Sequence, residues 1–252
     1  MTVTPFLSIK NLTVKFGGLT AVNDFSMDVM PGSIHALIGP NGAGKSTVFN
    51  CISRYYQPVS GDILFQGTSL MQTPAHGTAI RGIARTFQNL ELFNGISVVE
   101  NVMVGLDAAL KRDGKRLSPR QMRLEAEAIL ERTGLADYRN EQADALDFGH
   151  QKLLELSRAL AVRPKLLLLD EPAAGLRNRE IAALDRLLVD LVRKEGLTVI
   201  LVEHVMQLVM SISDGITVLS FGQKIAEGLP AEVRQNQQVI EAYLGREGGA
   251  AA

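Results

Sequence analysis

A nine-residue glycine-rich stretch lies between an apolar run and a helical segment, and it constrains the fold of this chain more than any other feature. It reads Gly39-Pro40-Asn41-Gly42-Ala43-Gly44-Lys45-Ser46-Thr47. The spacing matches G-x-x-x-x-G-K-S/T, a loop whose backbone N–H groups surround nucleotide phosphates. The preceding run, Ile34–Ile38, predicts a buried strand, and the residues from Ser46 onward predict a helix whose positive end faces the anion. The alternative is a glycine-rich turn that binds nothing.

Three residue types in this stretch carry the predicted chemistry. Glycines let successive backbone N–H groups converge on an anion. Lys45 supplies a cation for the β- and γ-phosphates, and Ser46 supplies a hydroxyl for Mg²⁺. We therefore expect residues 39–47 to bind a nucleotide together with Mg²⁺.

Composition limits the partners and the compartment of the chain. With Lys+Arg 26 against Asp+Glu 27 the net charge is −1, so no global field attracts nucleic acid. The single cysteine, Cys51, excludes an internal disulfide, and we expect a buried apolar side chain there, the alternative being a reactive thiol. We see no signal peptide, and no apolar run approaches the roughly 20 residues that span a bilayer. A role at a membrane is therefore expected to depend on partners.

The apolar pattern changes along the chain. The first third, apart from the glycine-rich loop, predicts strands at Leu7–Val14, Phe25–Val29 and Gly61–Gly67. From residue 165 onward, strands alternate with helices, and the buried strands are Leu166–Leu169, Thr198–Val202 and Ile216–Ser220. Continuous apolar strands that alternate with helices favour a parallel sheet covered on both faces, and hence an α/β fold.

Helix boundaries are marked in the middle of the chain. Residues 96–160 predict helices, and Ser118 with Gln121 forms a capping box that has proline at the first helical position. Gly134 is expected to end that helix, and Gly196 is expected to end a later one.

Two carboxylates follow the strand Leu166–Leu169. Ligands of open α/β sheets bind outside the carboxyl ends of the strands, where Asp170 and Glu171 are expected. Asp170 is expected to hold Mg²⁺ through water, and Glu171 is expected to accept hydrogen bonds from an attacking water. The alternative is an acidic helix N-terminus that complements a dipole.

Thr198–Val202 ends in the same way, with Glu203 and His204. His204 is expected near the γ-phosphate because it follows the carboxyl end of a core strand. The alternative is a structural histidine whose ring is satisfied by neighbouring groups.

The motifs above and three further stretches follow the order and spacing of one family over nearly the whole chain. The further stretches are Arg85-Thr86-Phe87-Gln88, Leu146–Gln151 and Gly175-Leu176. The chain resembles the nucleotide-binding subunits of ABC transporters. Five stretches are similar to the ATP-binding subunits of branched-chain amino acid importers in particular: Phe16–Val22, Gly82–Asn89, Glu171–Leu176, Ile225–Gly228 and Val239–Gly245.

The resemblance implies a P-loop NTPase (RecA-like) parallel-sheet core with an antiparallel β subdomain and an α-helical signature subdomain. The whole chain, 1–252, would form a single ABC ATPase domain. Its expected parts are a nucleotide-binding core with the β subdomain at roughly 1–95 plus 160–235, a helical subdomain at 96–159, and a C-terminal helix and tail at 236–252. The last residues, Gly248–Ala252, are expected to be disordered.

The resemblance also implies roles for single residues. Phe16 would stack on adenine, because an aromatic face needs no specific base edge, and Val22 would line the same pocket. Residues 39–47 would wrap the phosphates of ATP. Gln88 would contact Mg²⁺ and the attacking water, and would link the core to the helical subdomain. Asp170 and Ser46 would serve Mg²⁺, Glu171 would polarise the water, and His204 would hold the γ-phosphate beside Lys45.

The family signature, which here reads Leu146-Asp147-Phe148-Gly149-His150, implies that a second subunit takes part in ATP binding. In the family, this segment clamps ATP held by a second, head-to-tail subunit. The usual signature has serine where this chain has Asp147, and an ionised carboxylate cannot donate to a phosphate. Asp147 therefore predicts either a weakened ATP site or a plain N-cap of the helix that starts near Gly149, and both can hold. Arg177, where the subgroup usually has asparagine, could pair with the partner's Asp147 or face water.

The implied function is ATP hydrolysis that energises an ABC importer, for branched-chain or related amino acids. The implied partners are two transmembrane permease subunits, a second ABC ATPase subunit and, indirectly, an extracytoplasmic solute-binding protein, with no nucleic acid. The chain would be peripheral, at the cytoplasmic face of the cell membrane. A basic cluster at 111–123 is expected to be a solvated face, the alternative being a surface for anionic lipid or a permease loop.

Other functions remain open on the residues alone. An ATPase of a lipid or polysaccharide export system shares the compact size and the style of Phe16–Val22. A soluble ABC protein that remodels nucleic acid or ribosomes commonly carries two cassettes or a long coiled coil, and this sequence shows one cassette and no heptads. A P-loop kinase would leave the signature region unexplained.

Overall fold

Apolar residues near the N-terminus form an antiparallel sheet in the structure, a computed structural model that describes residues 4–244. β1 (Leu7–Phe16) pairs with β2 (Leu19–Val29), so that Leu7 lies opposite Val29 and Phe16 opposite Leu19. β1 also pairs with β4 (Ser60–Phe65), and β4 pairs with β5 (Thr68–Ser69), which gives the order β2-β1-β4-β5. The strands predicted near residues 7, 25 and 61 are therefore confirmed, and β1 and β2 are longer than expected.

The described residues divide into two compact units. The first takes the residues up to Thr78 and those from Thr198 onward, and the second takes Ala79–Leu197. The subdivision expected from the sequence stays a prediction. The tail that was expected to be disordered, residues 248–252, lies outside the described residues.

Within the first unit, the five residues of β3 (Ile34–Ile38) are all buried. β3 runs parallel to β8 (Thr198–Val202) on one side and to β9 (Gly215–Ser220) on the other, and β10 (Gln223–Gly228) runs antiparallel to β9. The residues of these parallel strands are almost all buried, which is typical of strands whose two faces are both covered.

Among the described residues of the first unit, five helices lie wholly or partly within it: α1 (Lys45–Ile52), α2 (Ala75–Ile80), α7 (Met206–Ile212), α8 (Pro230–Gln235) and α9 (Gln237–Leu244). Val209, Val233 and Val239 from the last three pack with Ala36 and Ile38 of β3. Cys51 on α1 is buried, and burial raises its thiol pKa to about 11, which confirms the expectation of a small apolar side chain.

The second unit contains one parallel strand pair and four helices. β6 (Ile83–Arg85) pairs with β7 (Leu166–Asp170), so that Arg85 lies level with Leu168. The helices are α3 (Val98–Arg112), α4 (Pro119–Thr133), α5 (Phe148–Ala161) and α6 (Asn178–Glu195), and short 3₁₀ turns lie at Ala136–Tyr138 and Ala143–Ala145.

Caps set the ends of these helices. The Ser118 hydroxyl accepts from the Gln121 N–H at the start of α4, and Gly134 ends that helix in the left-handed conformation. Gly196 ends α6 in the same way. These boundaries agree with the predicted ones because a cap is a local interaction, readable within a few residues.

Candidate nucleotide site

β3 leads directly into the phosphate loop, and α1 begins at Lys45. The Lys45 side chain is buried, and its Nζ donates to the carbonyl oxygens of Gly39 at 2.7 Å and Pro40 at 2.9 Å. Ser46 is exposed at the first turn of the helix. The strand and helix predicted around the loop are thus confirmed, and Lys45 folds back onto the start of the loop.

Two glycines in the loop cannot be replaced without a clash. Gly39 has φ 150°, and a Cβ there would lie 1.9 Å from the carbonyl oxygen of Leu219. Gly44 has φ 107°, and a Cβ there would lie 2.7 Å from the carbonyl oxygen of Ala21. The loop therefore packs against backbone on two sides, which only glycine permits.

The turn between β9 and β10 supports the loop, and sequence reasoning missed it. The Gly222 N–H donates to the Ala43 carbonyl at 2.9 Å, and the Gly222 carbonyl accepts from the Asn23 N–H at 2.8 Å. Tyr243 on α9 is partly buried, which raises the pKa of its hydroxyl, and the nearby backbone of Gly39 opposes that shift. The only local signal was the glycine in the turn, since the contacts join distant parts of the chain.

The residues expected to hold the base differ in exposure. Phe16 is 44% exposed at the end of β1, and its ring meets that of Tyr56 edge-on, with centroids 5.1 Å apart. Val22 is fully buried on β2. Phe16 thus presents an aromatic surface, whereas Val22 belongs to the buried core, and the roles expected of both toward adenine stay predictions.

Glu203 and His204 follow β8, as predicted. The Glu203 carboxylate accepts from the N–H groups of His204 at 2.7 Å and Val205 at 3.0 Å, so it holds the turn that leads into α7. The His204 side chain is exposed. Glu203 therefore has a structural task, and the exposed imidazole beside it keeps its predicted role as a prediction.

Asp170 ends β7 in the second unit and is 1% exposed. Its Oδ2 forms an ion pair with Arg85 Nη2 at 3.1 Å, and its Oδ1 is buried with no hydrogen-bond partner in the described part of the chain. Burial raises the Asp170 pKa, while the guanidinium of Arg85 opposes that shift. In the sequence Arg85 stands out only as part of a motif, and nothing local predicts its pairing with Asp170.

Glu171 follows with φ 51°, a left-handed conformation that is uncommon for a residue with a side chain. Its side chain is half-buried. Residues in this conformation are frequent at functional sites, and the role expected of Glu171 stays a prediction.

The segment after β6 is fixed to α5 through backbone contacts. Glu155 Oε1 accepts from the Phe87 N–H at 2.9 Å, and Lys152 Nζ donates to the carbonyls of Phe87 at 2.7 Å and Gln88 at 3.0 Å. Both charged side chains are 2% exposed. The backbone of Gln88 is thereby held, while its side chain remains exposed.

The signature segment begins α5. Asp147 caps the helix, because its Oδ1 accepts from the His150 N–H at 2.9 Å and lies 2.7 Å from His150 Nδ1. The hydrogen bond from the His150 N–H is the largest cause that lowers the Asp147 pKa, and the His150 side chain is the next. The positive charge of Arg177 in the same chain lowers the pKa further. Leu146 is buried, Phe148 is 50% exposed, and Gly149 faces the Gly175 carbonyl so closely that a Cβ would lie 3.0 Å from it. The predicted N-cap is confirmed.

The basic cluster at 111–123 is partly neutralised by nearby acids. Lys111 pairs with Asp107 at 2.6 Å, Arg112 with Asp113 at 2.8 Å, and Arg123 with Glu127 at 2.9 Å. Its remaining cations, Lys115, Arg116 and Arg120, are exposed.

The residues expected to hold Mg²⁺ have suitable chemistry. Asp170 offers a buried oxygen without a partner, Ser46 an exposed hydroxyl and Gln88 an exposed amide. Within residues 4–244, no three His, Cys, Asp or Glu side chains form a metal-binding group. Mg²⁺ commonly takes one or two protein carboxylates and completes its shell with phosphate and water, and the oxygen type that each of these side chains offers agrees with that preference.

Comparisons with known proteins identify the class. The profile of the ABC transporter family matches residues 22–174, and the profile described as branched-chain amino acid ATP-binding cassette transporter matches residues 223–249. The high-affinity branched-chain amino acid transport ATP-binding protein LivG of Escherichia coli is 43% identical over 250 residues, which cover 96% of this chain and 98% of that protein. The high-affinity branched-chain amino acid transport ATP-binding protein BraF of Pseudomonas aeruginosa is 42% identical with the same coverage.

Solved structures share the fold. An ABC transporter cassette in its ADP conformation matches with a TM-score of 0.84 at 29% identity, covering 96% of this chain and 99% of that one. A dimeric bacterial ABC transporter cassette matches with a TM-score of 0.82 at 25% identity, covering 89% and 98%. The chain therefore belongs to the ABC transporter family, as an ATPase cassette of the branched-chain amino acid type. The expected cassette fold, a sheet core with an antiparallel β subdomain and helices, is confirmed.

None of the helices between residues 4 and 244 has both the length and the apolar character needed to cross a bilayer.

Proposed function

We propose that this chain hydrolyses ATP with Mg²⁺ in order to energise the import of branched-chain or related amino acids. The phosphate loop carries the proposal, because Gly39, Gly44 and the buried Lys45 form a packed turn of the kind that surrounds phosphates. The similarity of the whole chain to LivG and BraF, both named as branched-chain amino acid transport proteins, supports the proposed substrate class.

Nucleotide binding follows from the first unit. Phe16 stacks on the adenine, and residues 39–47 donate backbone N–H groups to the phosphates. Lys45 leaves the carbonyls of Gly39 and Pro40 to neutralise the β- and γ-phosphates. His204 holds the γ-phosphate at its exposed imidazole.

Hydrolysis depends on positioning and on neutralisation of charge. Ser46, Gln88 and Asp170, the last through water, would hold Mg²⁺, which when bound lowers the negative charge on the phosphate oxygens. Glu171 accepts a hydrogen bond from the attacking water and orients it, with Gln88 beside it.

The working unit is a pair of cassettes, either two copies or this chain with a sibling. The signature residues Leu146–His150 of one cassette face the ATP held by the other. The dimeric cassette structure described above supports this arrangement for the family. Closing and reopening of the pair drives two permease subunits, which receive substrate from an extracytoplasmic binding protein. The cassette is thus peripheral, at the cytoplasmic face of the membrane.

Two variants separate binding from hydrolysis. Glu171→Gln should keep ATP binding and accumulate a closed dimer, because the water is no longer activated, and Lys45→Ala should weaken ATP binding itself. Size-exclusion chromatography with ATP and Mg²⁺, together with phosphate release, measures both effects. Glu131→Gln, an exposed change on α4, is the matched control and should behave as the wild type. A Glu171→Gln protein that remains monomeric in saturating ATP and retains full turnover would contradict the proposal.

The substrate class is tested separately. Deletion of the gene should reduce uptake of labelled leucine, isoleucine and valine, and the wild-type copy should restore it while the Glu171→Gln copy should not. Unchanged uptake of all three would contradict the proposed substrates without affecting the proposed ATPase.

A further inference from the structure

Arg85 is a buried arginine that none of the proposed steps uses. It ends β6, its side chain is 8% exposed, and its Nη2 lies 3.1 Å from Oδ2 of Asp170, whose side chain is 2% exposed. A charge is rarely taken out of water without a compensating partner, and the Asp170 carboxylate supplies one for this guanidinium.

The backbone beneath this pair is fixed on both sides. The Thr86 N–H donates to the Leu168 carbonyl at 2.9 Å, and the Asp170 N–H donates to Thr86 Oγ1 at 3.1 Å. The guanidinium also lies over the Phe87 ring, 5.0 Å from its centroid. Arg85 and Asp170 therefore lie at the ends of two neighbouring strands, and these hydrogen bonds fix the distance between the two strand ends.

The two oxygens of Asp170 have different surroundings. Oδ2 accepts from Arg85, whereas Oδ1 is buried and has no hydrogen-bond partner in the part of the chain that the structure describes. A buried carboxylate oxygen is rarely left without a partner, and an unsatisfied one indicates a missing ligand such as water or an ion. The ion pair thus decides which oxygen remains available to that ligand.

We propose that Arg85 is a positioning residue for the divalent cation: it holds Oδ2 of Asp170 so that Oδ1 alone faces the ion and its water shell. This inference rests on the proposed role of Asp170 at Mg²⁺. Groups that orient a metal-binding carboxylate control the affinity of the metal although they never touch it. An arginine suits the task because its guanidinium is planar and permanently charged, and here its Nη2 lies within hydrogen-bond distance of Oδ2.

The test measures metal affinity directly, with Mn²⁺ as the probe. Purified wild-type, Arg85→Gln and Arg85→Lys cassettes are saturated with ADP, and free Mn²⁺ is followed by electron paramagnetic resonance. We expect Arg85→Gln to weaken Mn²⁺ binding about 10- to 100-fold, the range typical of lost outer contacts, and Arg85→Lys to be intermediate. Affinity for ADP in excess EDTA should be the same in all three proteins, which a general loss of structure would not produce.

Two controls separate this inference from the proposed function. Arg132→Gln removes an exposed partner of Glu195 and should leave Mn²⁺ affinity unchanged. Asp170→Asn should weaken Mn²⁺ binding at least as much as Arg85→Gln does. If Asp170→Asn has no effect, the proposed metal role of Asp170 is wrong; if it has an effect and Arg85→Gln has none, only the positioning role is wrong.

Folding does not obscure the result. Because Arg85 is buried, its replacement could destabilise the fold, so the melting temperature of each variant is measured as well. If Arg85→Gln fails to fold, Arg85→Lys, which keeps the positive charge, takes its place. In that event, wild-type Mn²⁺ affinity in Arg85→Lys overturns the inference, and a loss of threefold or more supports it.

Discussion

At the scale of single residues, burial decides which protonation state His35 can adopt. His35 lies on β3, is 7% exposed, and its Nε2 is 2.8 Å from the Thr217 hydroxyl. Burial lowers the pKa of His35 from 6.5 to about 4. The positive charge of Lys224 lowers it further, whereas the negative charges of Glu227 and Asp214 act in the opposite direction. The fold therefore contains a neutral imidazole directly in the strand that leads to the phosphate loop.

The first prediction concerns stability in mild acid. Unfolded His35 takes up a proton near pH 6.5 and folded His35 only near pH 4, so the unfolded state binds more protons between these values and stability falls as pH falls. A shift of that size corresponds to about 3 kcal/mol of unfolding free energy, present above pH 6.5 and lost by pH 4. Urea unfolding at several pH values measures the slope.

A matched pair of variants isolates this histidine. His35→Gln should flatten the pH dependence in that window, while His76→Gln, at an exposed position, should leave it as in the wild type. An equal slope in wild type and His35→Gln would show that another group is responsible.

At the scale of elements, the first turn of α5 serves two purposes. Asp147 caps the helix through the His150 N–H, and the same contact lowers its pKa, so the carboxylate is ionised at neutral pH. In a cassette pair, that charge would approach the γ-phosphate held by the partner. Two like charges about 4 Å apart repel by roughly 4 kcal/mol at an effective dielectric of 20, before counter-charges are counted.

We therefore expect Asp147→Ser to raise ATP turnover severalfold in the assembled transporter. Serine is also a good N-cap, so α5 should keep its stability, and Asp147→Asn, which removes only the charge, should raise turnover in the same direction. Steady-state phosphate release from the reconstituted complex measures both. Unchanged or lower turnover in the two variants would mean that the carboxylate is accommodated in the dimer.

At the scale of the whole molecule, a nucleotide that binds only the folded cassette must stabilise it. At 100 times its dissociation constant, such a ligand adds about 2.7 kcal/mol, which raises the melting temperature by roughly 5–10 °C for a chain of this size. We expect this shift with Mg²⁺ and ATP in the wild type and its loss in Lys45→Ala, by differential scanning fluorimetry. Lys194→Ala, at an exposed lysine on α6, should keep the wild-type shift. A shift that survives Lys45→Ala would place the nucleotide elsewhere.

Whether a feature of this chain could be predicted from its sequence depends on how far apart the interacting residues lie along the chain. The phosphate loop, the strand Ile34–Ile38 before it, the Asp147 cap and the glycine ends of α4 and α6 could all be predicted, because each depends on groups a few residues apart. Arg85 meets Asp170 85 positions away, Lys152 holds Gln88 64 positions away, and Gly39 packs against Leu219. These contacts could be found only in the folded chain, because burial of a charge and the close approach of one backbone to another depend on where distant segments pack.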